Sequence, residues 1–145
     1  MKVQKTRPEA KIPTYGSPDA AGADLYACIS EPVTILPGQT VKIPTGIAVA
    51  IPQGYMGLVF ARSSLGTKRG LAPANKVGVI DSDYARSDNE GHIFMRMTND
   101  SREGKTLIVP SGTAFAQGIF LPFGITVDDH AQGVRNGGLG STTGH

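Results

Sequence analysis

The sequence holds a single cysteine, no large excess of charge of either sign, and no apolar run near the ~20 residues that would cross a bilayer. With Cys28 alone, no internal disulfide can form, which fits a reducing compartment. Lys and Arg number 14 against 12 Asp and Glu, a net charge of +2. That is too mild for a nucleic-acid face, which needs clustered basic residues. Met1 to Lys5 lacks the apolar core of a secretory signal. The expectation is a cytoplasmic, soluble protein with no membrane partner and no direct nucleic-acid binding. Several catalytic signatures are missing too. There is no G-x-x-x-x-G-K-[ST] loop, no G-x-G-x-x-G and no G-x-S-x-G, and His92, His130, His145 and Cys28 show no zinc spacing. The Asn99-Asp100-Ser101 sequon is read as a chance match in that setting.

What is abundant is glycine and proline, 19 and 10 in 145 residues. They cut the chain into short pieces and disfavour long helices. The hydrophobic period is two. From Val41 to Ile51 the odd positions read Val, Ile, Thr, Ile, Val, Ile, interrupted by Pro44 and Gly46, which predicts two strands or an edge position. Further strands are expected at Ala23 to Ile29, Val33 to Leu36, Tyr55 to Ala61, His92 to Thr98, Thr106 to Val109 and Ala114 to Phe123. One short helix can follow Arg62, limited by Gly66 and Gly70. Many short strands with regular turns indicate an all-β barrel or sandwich in one domain.

Five stretches carry the chemistry. In Gly78-Val79-Ile80-Asp81-Ser82-Asp83-Tyr84 an apolar run ends in an acid, a turn and an aromatic ring. Asp81 is suited to orienting and deprotonating a water, though Asp-Ser-Asp is equally suited to an Asx turn. Arg62-Ser63-Ser64 offers a guanidinium and two hydroxyls to an anion, or a helix cap beside a surface arginine. Asp24, within Ala21-Gly22-Ala23-Asp24-Leu25, can hold a hydrated magnesium or pair with an arginine, and the spacing does not decide. Gln117 is polar within an apolar strand, a position often functional or bonded to backbone. Residues 133–145 contain five glycines, with donors at Gly138, Gly140, Ser141 and Thr142 around Leu139 and a charge at Arg135. Such a segment is a frayed terminus or an arm that orders on a ligand.

Taken in order, these five stretches resemble the five motifs of the trimeric dUTPase family, over nearly the whole chain. The resemblance implies a jelly-roll-like β-barrel of the β-clip type, assembled as a homotrimer. It divides the chain into a barrel domain, 1–132, and an exchanged Gly-rich C-terminal arm, 133–145, that closes a site shared between subunits. It implies hydrolysis of dUTP to dUMP and pyrophosphate, with Asp81 activating the water that attacks the α-phosphate. Arg62, Ser63, Ser64, Gly66, Gln117 and Arg135 would hold the triphosphate with Mg²⁺, and Asp24 would touch the metal only through water. The hairpin of Asn75, Gly78, Val79, Ile80 and Tyr84 would read uracil and the deoxyribose, while Leu139, Gly140 and Ser141 cover them.

Four departures from the family pattern stand out. Ala85 to Glu90 precede Gly91 where the family passes directly from tyrosine to Arg-Gly. Ala114 stands where an arginine is common. Leu139 replaces a stacking phenylalanine, and Arg135 lies one residue nearer the glycine pair. Two other readings compete. A dCTP deaminase of the same fold would need a buried glutamate. A nucleotide-switched regulatory binding protein would use the 85–90 insertion or the tail as its contact surface.

Overall fold

The computed structural model describes residues 1–134. The strands are β1 (Lys2–Lys5), β2 (Thr14–Tyr15), β3 (Ala23–Tyr26), β4 (Val33–Ile35), β5 (Thr40–Pro44), β6 (Ile47–Ala50), β7 (Tyr55–Ala61), β8 (Leu71–Pro73), β9 (Gly78–Ile80), β10 (Phe94–Asn99), β11 (Leu107–Val109) and β12 (Ala114–Pro122). One helix, α1 (Ser63–Arg69), and one 3-10 turn (Ser82–Arg86) interrupt them. The all-β expectation holds. Pairing gives a five-stranded sheet in the order β2-β3-β12-β7-β9, a three-stranded sheet β5-β10-β8, and the pairs β1-β6 and β4-β11. All pairings are antiparallel, and among the described residues the ladders do not join into one closed barrel.

The period-two pattern explains the core. Ile43, Thr45, Ile47, Val49 and Ile51 are all buried, as are Ile93, Met95 and Met97 on β10 and the residue before it. Phe115, Ile35 and Leu71 complete the centre, each at most 1% exposed. Burying each large side chain is worth about 1.5–3 kcal/mol. The break at Pro44 to Gly46 separates β5 from β6, as the sequence implies. Gly46 takes a left-handed φ of 70°, and its carbonyl accepts from Thr6 N at 2.8 Å, which brings β1 alongside β6. Gly66 does not end α1 but lies inside it. The helix stops at Gly70, whose φ of 75° lets its N–H turn back to the Gly66 and Leu65 carbonyls.

Asn99, read as a chance sequon, is 1% exposed. Its amide donates to the Ile35 and Lys105 carbonyls at 2.9 and 2.7 Å and accepts from Ser101 N at 3.0 Å. It is a structural tie. No helix among the described residues is long and apolar enough to cross a membrane.

Candidate functional site

Two clusters form, at opposite ends of β7. The first lies where β7 ends. Gln117 on β12 is in register with Asp24 on β3 and with Phe60 on β7. Its Nε2 donates to the Ala61 carbonyl at 3.0 Å. This explains a polar residue in an apolar strand: it satisfies the backbone where β7 turns into α1. The next residue, Arg62, places Nε 2.9 Å from Asp24 Oδ1. Spacing left Asp24 open between a metal and an arginine, and the geometry pairs it with the arginine. Both side chains are about a third exposed, so solvent screens the pair and it contributes at most about 1 kcal/mol. Its use is orientation. It holds the guanidinium beside Ser63 and Ser64, exposed residues that open α1. Arg62 Nη1 also reaches the Ala114 carbonyl at 3.5 Å, the outer limit for such a bond. Gly22 is needed here, because a methyl group on it would sit 2.4 Å from Gln117 Oε1.

The second cluster lies where β7 begins. β9 runs antiparallel to β7, with Gly57 opposite Ile80 and Val59 opposite Gly78. Gly78 admits no side chain, since a Cβ there would lie 2.3 Å from Val59 Cγ2. Ile80 anchors the strand in the core at 8% exposure and Val79 faces outward at 60%. Asp81 then stands at the head of the 3-10 turn in extended backbone, and its carboxylate makes no capping bond to that turn. Asn75, Val77, Gly78, Val79, Ile80, Asp81 and Tyr84 all line one cleft of about 780 Å³. The Tyr84 hydroxyl donates to the His92 carbonyl at 2.7 Å, which fixes the ring against the cleft wall.

The register separates these clusters. Asp81 follows the residue opposite Gly57, while Arg62 lies five residues beyond Gly57 along β7. At the rise of a strand that is roughly 20 Å. One chain therefore brings Asp24, Arg62, Ser63, Ser64, Gly66 and Gln117 together, and Asn75 to Tyr84 along one cleft, but it sets Asp81 at the far end of β7 from Arg62. Arg135, Leu139, Gly140 and Ser141 lie outside the described residues.

The cleft also contains residues that sequence reasoning missed. Lys42 and Arg96 are direct cross-strand partners on β5 and β10, and both line it with Phe94 and Asn89. Alternation could have found the first three, as outward positions of otherwise core-forming strands. Asn89 belongs to the 85–90 departure, but nothing singles it out within that stretch. Below the cleft His92 is 5% exposed, and its Nε2 accepts from Gly46 N at 2.8 Å. Burial pushes its pKa below the usual imidazole value, and the positive charges of Arg7 and Lys42 push the same way.

All four glutamates, Glu9, Glu31, Glu90 and Glu103, are exposed, so the deaminase reading lacks its buried proton shuttle. Among the described residues no three His, Cys, Asp or Glu side chains gather to hold a metal.

Comparison with known proteins gives one answer. The dUTPase family model matches residues 8–143. The chain is 45% identical over 140 residues to the deoxyuridine 5'-triphosphate nucleotidohydrolase of Desulfitobacterium hafniense (strain DSM 10664 / DCB-2), covering 91% of this chain and 87% of that protein. It is 37% identical over 152 residues to the enzyme of the same description from Paraburkholderia xenovorans (strain LB400), covering 100% and 97%. The crystal structure of dUTPase from Streptococcus mutans superposes with a TM-score of 0.76 at 34% identity, over 89% of this chain and 100% of that one.

Proposed function

The chain belongs to the dUTPase family and is a dUTP diphosphatase, and we propose that it builds its active sites between copies of itself. The observation that carries this is the separation of Asp81 from Arg62 by roughly 20 Å along β7. A triphosphate is far shorter than that gap. The phosphate-holding end of one subunit must therefore meet the Asp81 end of another, which favours the jelly-roll homotrimer of the family. Residues 133–145, beginning at the last described residues, would supply the arm that closes over the nucleotide.

In this arrangement the extended edge from Gly78 to Asp81 presents backbone donors and acceptors to the uracil edge. The tight turn of the hairpin would leave no room for a 5-methyl group. The Tyr84 ring packs under the deoxyribose. Asp81 accepts a proton from a water aimed at the α-phosphorus, an arrangement typically worth ~10²–10⁴ in rate. As the bond from the α-phosphorus to the bridging oxygen breaks, charge builds on departing pyrophosphate. Arg62 meets it with a fixed guanidinium, Ser63 and Ser64 with hydroxyls, and Gln117 with its amide.

Mg²⁺ keeps several of its waters and usually binds through one or two carboxylates plus substrate phosphates, not through a protein cage. One half-buried carboxylate at the phosphate end, with no three-ligand cluster among the described residues, fits that pattern. Asp24 would hold the ion's waters through the oxygen not committed to Arg62. When bound, Mg²⁺ supplies charge neutralisation on the phosphate oxygens. We assign the reaction to the cytoplasm, where free deoxynucleotides are found.

The test is a panel of dUTP, dTTP, UTP and dCTP assayed for pyrophosphate and ammonia, with the Asp81→Asn variant alongside. Pyrophosphate from dUTP, little from dTTP or UTP, and loss in Asp81→Asn by a factor of about 10²–10⁴ are expected. An Asp81→Asn protein as active as the parent would refute the mechanism, and ammonia from dCTP would restore the deaminase reading.

A further inference from the structure

The six residues Ala85 to Glu90 depart from the family pattern, and the structure shows what they do. Ser87 is buried at 5% exposure in a loop leading away from the cleft. Its hydroxyl lies 2.6 Å from the Tyr84 carbonyl and 2.7 Å from Asn89 Oδ1 and donates to one of them. The loop then reverses. Glu90 and Gly91 both take left-handed φ angles, 61° and 73°. Gly91 packs so closely that a Cβ on it would lie 2.6 Å from Ala85 Cα. Gly91 N donates to Asn89 Oδ1 at 3.2 Å, and His92 N to the Asn89 carbonyl at 3.1 Å.

This reversal turns Asn89 back into the cleft. Its Nδ2 donates to the Tyr84 hydroxyl oxygen at 3.0 Å and to the His92 carbonyl at 3.3 Å. The Tyr84 hydroxyl itself donates to that same carbonyl. Tyr84 Oη thus has both a donor and an acceptor partner, and the ring is held from two directions. A tyrosine with only the carbonyl could swing about that one bond. The cost of the loop is visible: a non-glycine residue in the left-handed region is strained by of order 1 kcal/mol or more. A strained loop, internally hydrogen-bonded and closing on one aromatic hydroxyl, is a brace.

We propose that Asn89 is a positioning residue that locks the Tyr84 ring and thereby sharpens discrimination against a 2′-hydroxyl on the nucleotide sugar. This rests on the reading of Tyr84 as the sugar-facing ring. The donors matter for discrimination, whereas the Oδ1 acceptor matters for the loop.

Three variants of the full chain separate these roles: Asn89→Ala, Asn89→Asp and Tyr84→Phe. Asn89→Asp keeps acceptors for Ser87 and Gly91 N but removes both donors. The measured quantity is kcat/KM for dUTP divided by that for UTP, with thermal midpoints recorded in parallel. In Asn89→Asp the ratio is expected to fall roughly tenfold at a midpoint near the parent's, the factor that corresponds to one hydrogen bond. Asn89→Ala is expected to lose the same ratio and some stability. The Tyr84→Phe/Asn89→Asp double variant is expected to be no worse than Tyr84→Phe alone, because the brace acts through the hydroxyl. An unchanged ratio in Asn89→Asp, or additive losses in the double variant, would overturn the proposal. A parent protein that cleaves no dUTP would instead sink the underlying reading.

Discussion

Adding one methyl group at Gly22 tests whether the site depends on where Gln117 points. The new Cβ would lie 2.4 Å from Gln117 Oε1 and 3.3 Å from its Cδ. Ordinary contact begins at 3.4 Å, so the amide must retreat by roughly 1 Å. It sits at the end of a flexible side chain, so the backbone need not move. The retreat breaks its 3.0 Å bond to the Ala61 carbonyl, a loss of about 0.5–1.5 kcal/mol. Gly22 is not among the residues with positive φ, so alanine is allowed there and recovers about 0.4–1 kcal/mol by restricting the unfolded chain. The two terms nearly cancel, and the melting temperature of Gly22→Ala should stay within about 4 °C of the parent. Activity should not be spared. A displacement of this size at a group proposed to hold the phosphates can cost up to about 10²-fold. Calorimetry with steady-state kinetics on dUTP decides the matter, with Gln117→Ala as the reference for full loss. Parental kcat/KM in Gly22→Ala, at a parental melting temperature, would refute the reasoning.

The same methyl at Gly78 should behave in the opposite way. Its clash, 2.3 Å from Val59 Cγ2, is with a stiff β-branched side chain inside the β7-β9 ladder. Gly78→Ala should therefore lose about 1–3 kcal/mol of stability in chemical denaturation. His92 predicts acid sensitivity. Its folded pKa lies below the unfolded one, so on acidification the unfolded chain takes up its proton first. The stability contributed by the neutral imidazole is complete above the unfolded value of about 6.5 and is lost as pH falls below it. Melting temperature should drop between pH 7.5 and 5.5, and drop less in His92→Gln, which keeps an acceptor for Gly46 N.

Much of this was legible in the residues, and what was not has physical reasons. Alternation from Val41 to Ile51 marked two core strands because burial on one face leaves a trace at every second position. β1 left no such trace: of Lys2, Val3, Gln4 and Lys5 only Val3 is even half-buried, and pairing with β6 comes from backbone bonds. β8 is three residues long and ends in proline, so no periodicity can accumulate. Gln117 stood out as a polar residue in an apolar strand, whereas Asp81 and Arg62 read equally well as a turn and a helix cap and were singled out by the family resemblance. Their division into two groups was not legible, because it depends on which residue of β9 faces which of β7. Asn89 could not be picked out of the 85–90 departure for another reason. Its side chain is tied to Tyr84, His92 and Gly91 by hydrogen bonds in a loop whose composition reads only as polar turn.

That division can be tested without a crystal. On the proposed roles, Asp81→Asn spoils one end of β7 and Gln117→Ala the other, so each variant alone should be inactive or nearly so. If both ends of one chain served the same nucleotide, no mixture of the two variants would contain an intact site. If sites form between copies, a subunit carrying Asp81→Asn still has a sound phosphate end, and one carrying Gln117→Ala still has a sound Asp81. Random reassembly of an equal mixture would then restore about a quarter of the sites, since the two contributors are drawn independently. The variants are mixed, unfolded together, refolded and assayed for pyrophosphate release from dUTP. Activity near a quarter of that of parent protein treated the same way is expected. Activity no greater than the mean of the two variants refolded separately would place both clusters on one substrate within one chain, against the roughly 20 Å that the β7-β9 register puts between them.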